Sequence, residues 1–382
     1  MELTVKLAGS RRVAGMAVLS ALALTLAACS SDADGNEAES PAGDETAAEG
    51  EALSGTLPGA GASSQEKAMN GWLAGFQEAN PDVQVSYDPT GSGTGREMFL
   101  NGAVLFGGTD SMFKEEELTA GAERCFGGEV VELPLYISPI AVAYNLPGVD
   151  AANLNLSPEV LAQIFNGDVT KWNDPAIAET NEGVELPDLD IVPVNRSDDS
   201  GTTENFTEYL AEAAGGAWPH EASETWPISG TQSGAQTSGV VSTLQAAEGT
   251  IAYLDASQVP DGFGTVAVGV GEEFVPFSPE AAAAVVDASP ATEDATDLRL
   301  TIDLARDTQE SGAYPIVLVS YTFACSVYES EQDVNNVKAL LTYIASEEGQ
   351  ERAADPSVAG SAPISDGLRG DVTAAIEQIS AA

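Results

Sequence analysis

Three stretches of this sequence gather glycine, serine and threonine where a helical pattern begins. They are Gly59-Ala60-Gly61-Ala62-Ser63, Gly91-Ser92-Gly93-Thr94-Gly95 and Ser200-Gly201-Thr202-Thr203. Backbone N–H groups at a helix start have no partner within the helix and point outward as donors. Glycine lets a ligand approach those groups, and Ser or Thr hydroxyls add adjustable donors, a combination suited to a tetrahedral oxyanion. One such loop is an ordinary turn; three in one chain, one of them entered by an arginine, point to a site. That base is Arg196, whose guanidinium can hold two oxygens of one anion as a planar pair. Asp198, two residues on, is placed to brace the fork; the plainer alternative is a surface ion pair worth little. Asp110 follows Gly107-Gly108-Thr109, where it would either cap a helix or accept a hydrogen bond from a proton on the ligand.

Positioning these loops calls for a repeating strand and helix rhythm. A short strand enters the first loop, and Ser63 with Glu66 has capping-box spacing. Met69, Trp72, Leu73 and Phe76 then recur at i, i+3, i+4 and i+7, predicting an amphipathic helix that stops near Asn80-Pro81. Val83, Val85 and Tyr87 alternate like a strand, and a helix and strand follow the second loop. Val130 to Tyr144 is strand-rich, and Ser157-Pro158-Glu159 opens a helix. Asp190 to Asn195 is a strand leading into Arg196, with a helix through Phe206 and Leu210. Val240 to Gln245 reads as a helix and Thr250 to Leu254 as a buried strand. The Ala-rich stretch near 280–296 fits helix and loop alike. Pro315 to Ala324 is a strand, and two helices, about 333–348 and 369–380, close the chain. The alternation predicts an α/β fold with parallel strands.

The 382 residues include 60 acidic and 14 basic side chains, for a formal net charge of −46. Apolar residues at 43% suit a folded protein. Nucleic acid is excluded as a partner, because neutralising phosphates takes clustered Lys and Arg. Net charge governs long-range fields and not what one pocket holds, so an anion site must work locally. Lys6, Arg11 and Arg12 precede an apolar run from Val13 to Ala28, too short for a span of ~20 residues and read as a secretory signal. Leu26-Ala27-Ala28-Cys29 resembles the bacterial lipoprotein box, which implies cleavage before Cys29 and a lipid anchor on it. Residues 29–53 are acidic and lack aromatics, as expected of a flexible tether. Cys125 and Cys325 remain, an even pair that suggests one disulfide, with two unrelated buried thiols as the alternative. No metal-ligand cluster stands out.

Further landmarks complete a pattern: Ile164-Phe165-Asn166-Gly167, Trp172-Asn173-Asp174-Pro175, Gly249-Thr250-Ile251-Ala252-Tyr253 and Ala313-Tyr314-Pro315-Ile316. In order with the three loops, the stretch Phe106 to Asp110 and Arg196 to Thr202, they resemble the PstS-type phosphate-binding subunit of bacterial phosphate ABC transporters. The resemblance runs from about residue 54 to the C-terminus. It implies a two-domain Venus-flytrap (type II) binding protein with phosphate in the cleft, working as a monomer with permease subunits and needing no cofactor. Ser63, Ser64, Ser92 and Asp110 would come from the first domain, and Arg196, Ser200, Gly201 and Thr202 from the second. The first domain would be 54–142 plus 318–382 and the second 143–317, after a 1–28 signal peptide. Three departures are Ser63-Ser64 in place of Thr-Phe, Asp199 in place of glycine, and Leu105 in place of aspartate. Competing readings are a secreted phosphatase or serine hydrolase using Ser200, which would depend on the single histidine, His220, and a phosphate-sensing wall lipoprotein.

Overall fold

The computed structural model describes residues 53–382. The expected signal peptide, Cys29 and nearly all of the expected tether lie outside the described residues. The first series of elements is β1 (Gly55–Gly61), α1 (Glu66–Ala79), β2 (Val83–Asp88), α2 (Ser92–Leu100), β3 (Phe106–Thr109) and α3 (Glu115–Arg124). After β4 (Val130–Tyr144) comes a second series: β5 (Asn153–Leu156), α4 (Pro158–Asn166), α5 (Pro175–Ala178), β6 (Val192–Arg196), α6 (Gly201–Ala213), β7 (Gln232–Gly234), α7 (Gln236–Ala246) and β8 (Thr250–Asp255). Next are β9 (Gly264–Val270), β10 (Glu273–Pro276), α8 (Pro279–Ala288), β11 (Val317–Cys325) and β12 (Val327–Tyr328). The helices α9 (Glu331–Ala345), α10 (Glu347–Ala354) and α11 (Asp366–Glu377) and the short β13 (Ser380–Ala381) end the chain.

The main path through the sheet is β2-β1-β3-β11-β4-β8-β6-β7. Parallel pairs lie at each end, β1 with β2 and β3, and β6 with β7 and β8. Between them, β4 pairs antiparallel with β11 over residues 130–139 and then with β8 over 140–144. All fifteen residues of β4 are buried, so the strand reads as a near-continuous apolar run instead of alternating, interrupted by Glu132, which pairs with Arg299, and by Ser138. The halves built on β1–β3 and on β6–β8 therefore share strands.

Helix α1 buries Met69, Trp72, Leu73 and Phe76 as their spacing predicts. Its start differs from expectation: Gln65 is the N-cap, with no side-chain cap, because the Ser63 hydroxyl is engaged elsewhere. The Ala-rich stretch resolves into α8, opened by the Ser278 cap and Pro279, and ends at Ser289. Three helices close the chain where two are predicted. Ser346 is extended and caps Gly349 N–H, which breaks one helix and starts the next.

Close backbone packing brings the loop ends together. Gly61 has φ +147°, and a Cβ there would lie 2.0 Å from the Gly108 carbonyl oxygen. Only glycine fits that crossing of β1 and β3. Cys125, ending α3, and Cys325, ending β11, are buried and joined in a disulfide. With 200 residues between them, the chain-entropy account gives the bridge ~5 kcal/mol of stabilisation.

Candidate functional site

Strand β1 runs into Ser63 and Ser64. The Ser63 hydroxyl lies 3.0 Å from Thr237 Oγ1 and accepts the Thr237 N–H at 3.1 Å. Ser64 Oγ donates to Asp110 Oδ1 at 2.7 Å. Gly91 is the residue before α2, so Ser92 to Gly95 form the first helical turn and not a loop. Ser92 Oγ accepts the Asp110 N–H at 3.1 Å.

Asp110 follows β3 and is no helix cap. Its second oxygen accepts Thr202 Oγ1 at 2.8 Å, so its carboxylate is held from both halves. Burial pushes its pKa up, while hydrogen bonds from Ser320, Ser64 and Thr202 and the Arg196 charge pull it back. Asn205, one turn into α6, donates to the Asp110 carbonyl at 2.7 Å and to that of Gly201 at 2.8 Å.

Arg196 ends β6 at 4% exposure. Asp198 braces it as expected, taking Nε at 2.8 Å and Nη2 at 2.6 Å, which leaves Nη1 without a hydrogen-bond partner among the described residues. Burial alone would raise the Asp198 carboxyl, but the Arg196 hydrogen bond and charge hold it below the usual range. Ser200 is the N-cap of α6 and accepts the Thr203 N–H at 3.2 Å. A Cβ on Gly201 would lie 2.8 Å from both Asp110 Cβ and Ser92 Oγ, so the loop can close on the other half only without a side chain. A Cβ on Gly91 would meet Asp198 at 2.8 Å and Arg196 Nη2 at 3.3 Å. The structure thus brings Ser63, Ser64, Ser92, Asp110, Arg196, Ser200, Gly201 and Thr202 into one buried junction between the halves.

Sequence reasoning missed four contributors. Thr237 and Gln236 open α7; Gln236, at φ +59°, donates its N–H to Asp198 Oδ1 at 3.0 Å. The small-residue run Ser233-Gly234-Ala235 before α7 carries the same signal as the three loops and was the clue available. Gln258 Nε2 donates to the carbonyls of Ser63 and Ser64 at 2.8 and 3.1 Å. Asn205 fixes the Asp110 loop, and nothing local in the sequence marks either side chain.

Chemically, the junction offers helix starts, hydroxyls, the Arg196 guanidinium with its Nη1 edge open among the described residues, and the Asp110 carboxylate, Asp198 being taken up by Arg196. That set suits an oxyanion carrying a proton. Asp199, the extra carboxylate, accepts Thr225 Oγ1 at 2.8 Å and is occupied there. His220 Nε2 lies 3.0 Å from Asn166 Oδ1, so the ring serves Asn166, while Ser200 Oγ serves as a cap. Among the described residues no group of three His, Cys, Asp or Glu could hold a metal.

The PBP superfamily domain matches residues 46–348. The chain is 34% identical over 332 residues to the phosphate-binding protein PstS 3 of Mycobacterium tuberculosis, covering 86% of this chain and 89% of that one. It is 33% identical over 377 residues to PstS 2 of the same organism, covering 97% and 99%. In fold it is similar to a high affinity periplasmic phosphate-binding protein bound with phosphate, with TM-score 0.67 at 20% identity over 83% of this chain and 93% of that one. A phosphate-binding protein from Stenotrophomonas maltophilia gives TM-score 0.64 at 21% identity over 84% and 93%. The two-domain α/β architecture expected from the sequence is the fold of these neighbours. The chain belongs to the PBP superfamily, and within it to the PstS proteins.

Proposed function

We propose that this protein binds inorganic phosphate outside the cytoplasmic membrane and delivers it to the permease subunits of an ABC transporter. The observation that carries the reading is the junction itself. Ser63, Ser64, Ser92 and Asp110 come from one half and Arg196, Ser200, Gly201 and Thr202 from the other; Ser64 and Thr202 donate to the Asp110 carboxylate from opposite sides, Ser92 accepts its N–H, and Gly201 packs against it. With donors divided between halves, the bound anion favours the closed state, as a binding protein needs. PstS proteins are substrate-binding proteins, and we read this chain likewise as a binder and not an enzyme. Calorimetry on the purified protein, titrating phosphate, sulfate and molybdate separately, tests it. One phosphate per chain with little heat from sulfate is expected; heat from sulfate alone would sink the reading.

The two domains are proposed as 54–142 plus 318–382 and 143–317. Support comes from β4, which exchanges β11 for β8 between Pro139 and Ile140. Lipidation of Cys29 is proposed from its motif, in a protein whose described residues include no helix long and apolar enough to cross a membrane. Replacing Cys29→Ser is expected to move the protein from the membrane fraction to the soluble one; unchanged fractionation would refute the anchor.

A further inference from the structure

Arg96, on α2, is among the largest fully buried side chains described. It belongs to the half built on β1–β3 but reaches into the other. Its Nη1 and Nη2 donate to Glu224 Oε1 and Oε2 at 2.9 and 2.8 Å, a fork-to-fork pair. Nη1 also donates to Thr109 Oγ1 and Ser111 Oγ, each at 2.9 Å, and these residues flank Asp110. Nε is held by Glu117 on α3 at 3.0 Å. Glu224 lies between α6 and β7. Its carboxylate further accepts Ser111 Oγ at 2.6 Å and Lys114 Nζ at 3.1 Å. Its own backbone carbonyl accepts the N–H of Ser200 at 3.0 Å. One ion pair is therefore tied on one side to both neighbours of Asp110, and on the other to the residue that opens the Ser200–Thr202 loop.

We propose that Arg96 and Glu224 form a latch across the cleft, setting how long the closed form lasts without belonging to the anion's own shell. The proposal rests on the reading of the junction as a phosphate site. Its logic is that of a buried ion pair made only on closure. When the halves part, both charges regain water; when they meet, side-chain exposure falls to 2% for Arg96 and 7% for Glu224. Burial would raise the Glu224 carboxyl, yet the Arg96 hydrogen bond and charge take it down to about 2. Removing Arg96 leaves the Glu224 carboxylate with the Lys114 ammonium alone, and neutralising Glu224 leaves Arg96 with Glu117 alone, so in either case the pairing across the cleft is lost from the closed form. Glu224→Gln leaves the Arg96 contacts to Thr109, Ser111 and Glu117 within its own half in place, so its loss appears in the closing equilibrium and lowers apparent affinity by the fraction closed. Because closing follows encounter, dissociation changes and association does not.

The test compares Glu224→Gln, Arg96→Met and the double variant Arg96→Met/Glu224→Met with the wild type. Stopped-flow fluorescence from Trp218 and Trp226, which flank Glu224, follows phosphate release. Dissociation is expected to quicken ~10–100-fold in the single variants with association within about twofold. The double variant should release no faster than the worse single one, since the two residues act as a unit. Small-angle scattering of ligand-free protein should show a larger radius of gyration for each single variant. Unchanged release and radius, or effects that add in the double variant, would overturn the latch. Wild-type calorimetry without phosphate heat would instead refute the phosphate reading, and the ligand-free scattering would still decide on the latch.

Discussion

Replacing Arg196→Ala is expected to weaken phosphate binding by about 10³-fold or more, measured by calorimetry. The guanidinium is the one cation among the proposed ligands, and its Nη1 edge remains open after Asp198 has taken Nε and Nη2. Truncating one partner of a buried, hydrogen-bonded charge pair costs ~2–5 kcal/mol. A second penalty comes from what stays behind. Asp198 is held ionised by Arg196, and without it a half-buried carboxylate faces the incoming anion as a like charge. Arg196→Lys separates the two effects, because it keeps the charge but not the planar fork. Near-wild-type affinity in Arg196→Ala would count against the whole site.

Asp110→Asn should change which anion binds more than how tightly phosphate binds. At neutral pH phosphate keeps at least one proton, and sulfate has none. A fixed carboxylate accepts that proton's hydrogen bond from phosphate but meets sulfate as an unpaired like charge. In a site closed from water the difference is worth several kcal/mol. Asparagine offers sulfate an N–H instead, so the phosphate-to-sulfate affinity ratio is expected to fall ~10²–10³-fold. Burial raises the Asp110 carboxyl pKa, while Ser64, Thr202, Ser320 and Arg196 oppose that rise and favour the ionised acceptor. A ratio unchanged in competition calorimetry would remove Asp110 from the selectivity mechanism.

How far the sequence shows these features depends on their range. The brace on Arg196 sits two residues away, and the α1 stripe repeats within two turns, so both are visible locally. Ser63 shows the limit. Its spacing to Glu66 fits a capping box, but the hydroxyl goes to Thr237, a partner 174 residues on that no local pattern announces. Arg96 and Glu224, 128 residues apart, are invisible for the same reason. Asp110 has two local meanings, helix cap or acceptor of a ligand's proton; it follows β3 and caps no helix, and the partner of its second oxygen, Thr202, lies 92 residues away in the other half. The two cysteines likewise left open a bridge or two separate thiols, and their meeting at the ends of α3 and β11 makes the bridge.

The return of the chain to its first half has a consequence for biogenesis. Strand β3 finds its neighbour β11 only after the whole second half has been made, and Cys125 waits 200 residues for Cys325. At ~5–20 residues per second of synthesis, that is a delay of about 10–40 s. During this time the chain carries an unpaired strand edge and a free thiol. The half that emerges first is thus the last to be completed, and a chain truncated before β11 leaves β3 without its neighbour and Cys125 without its partner.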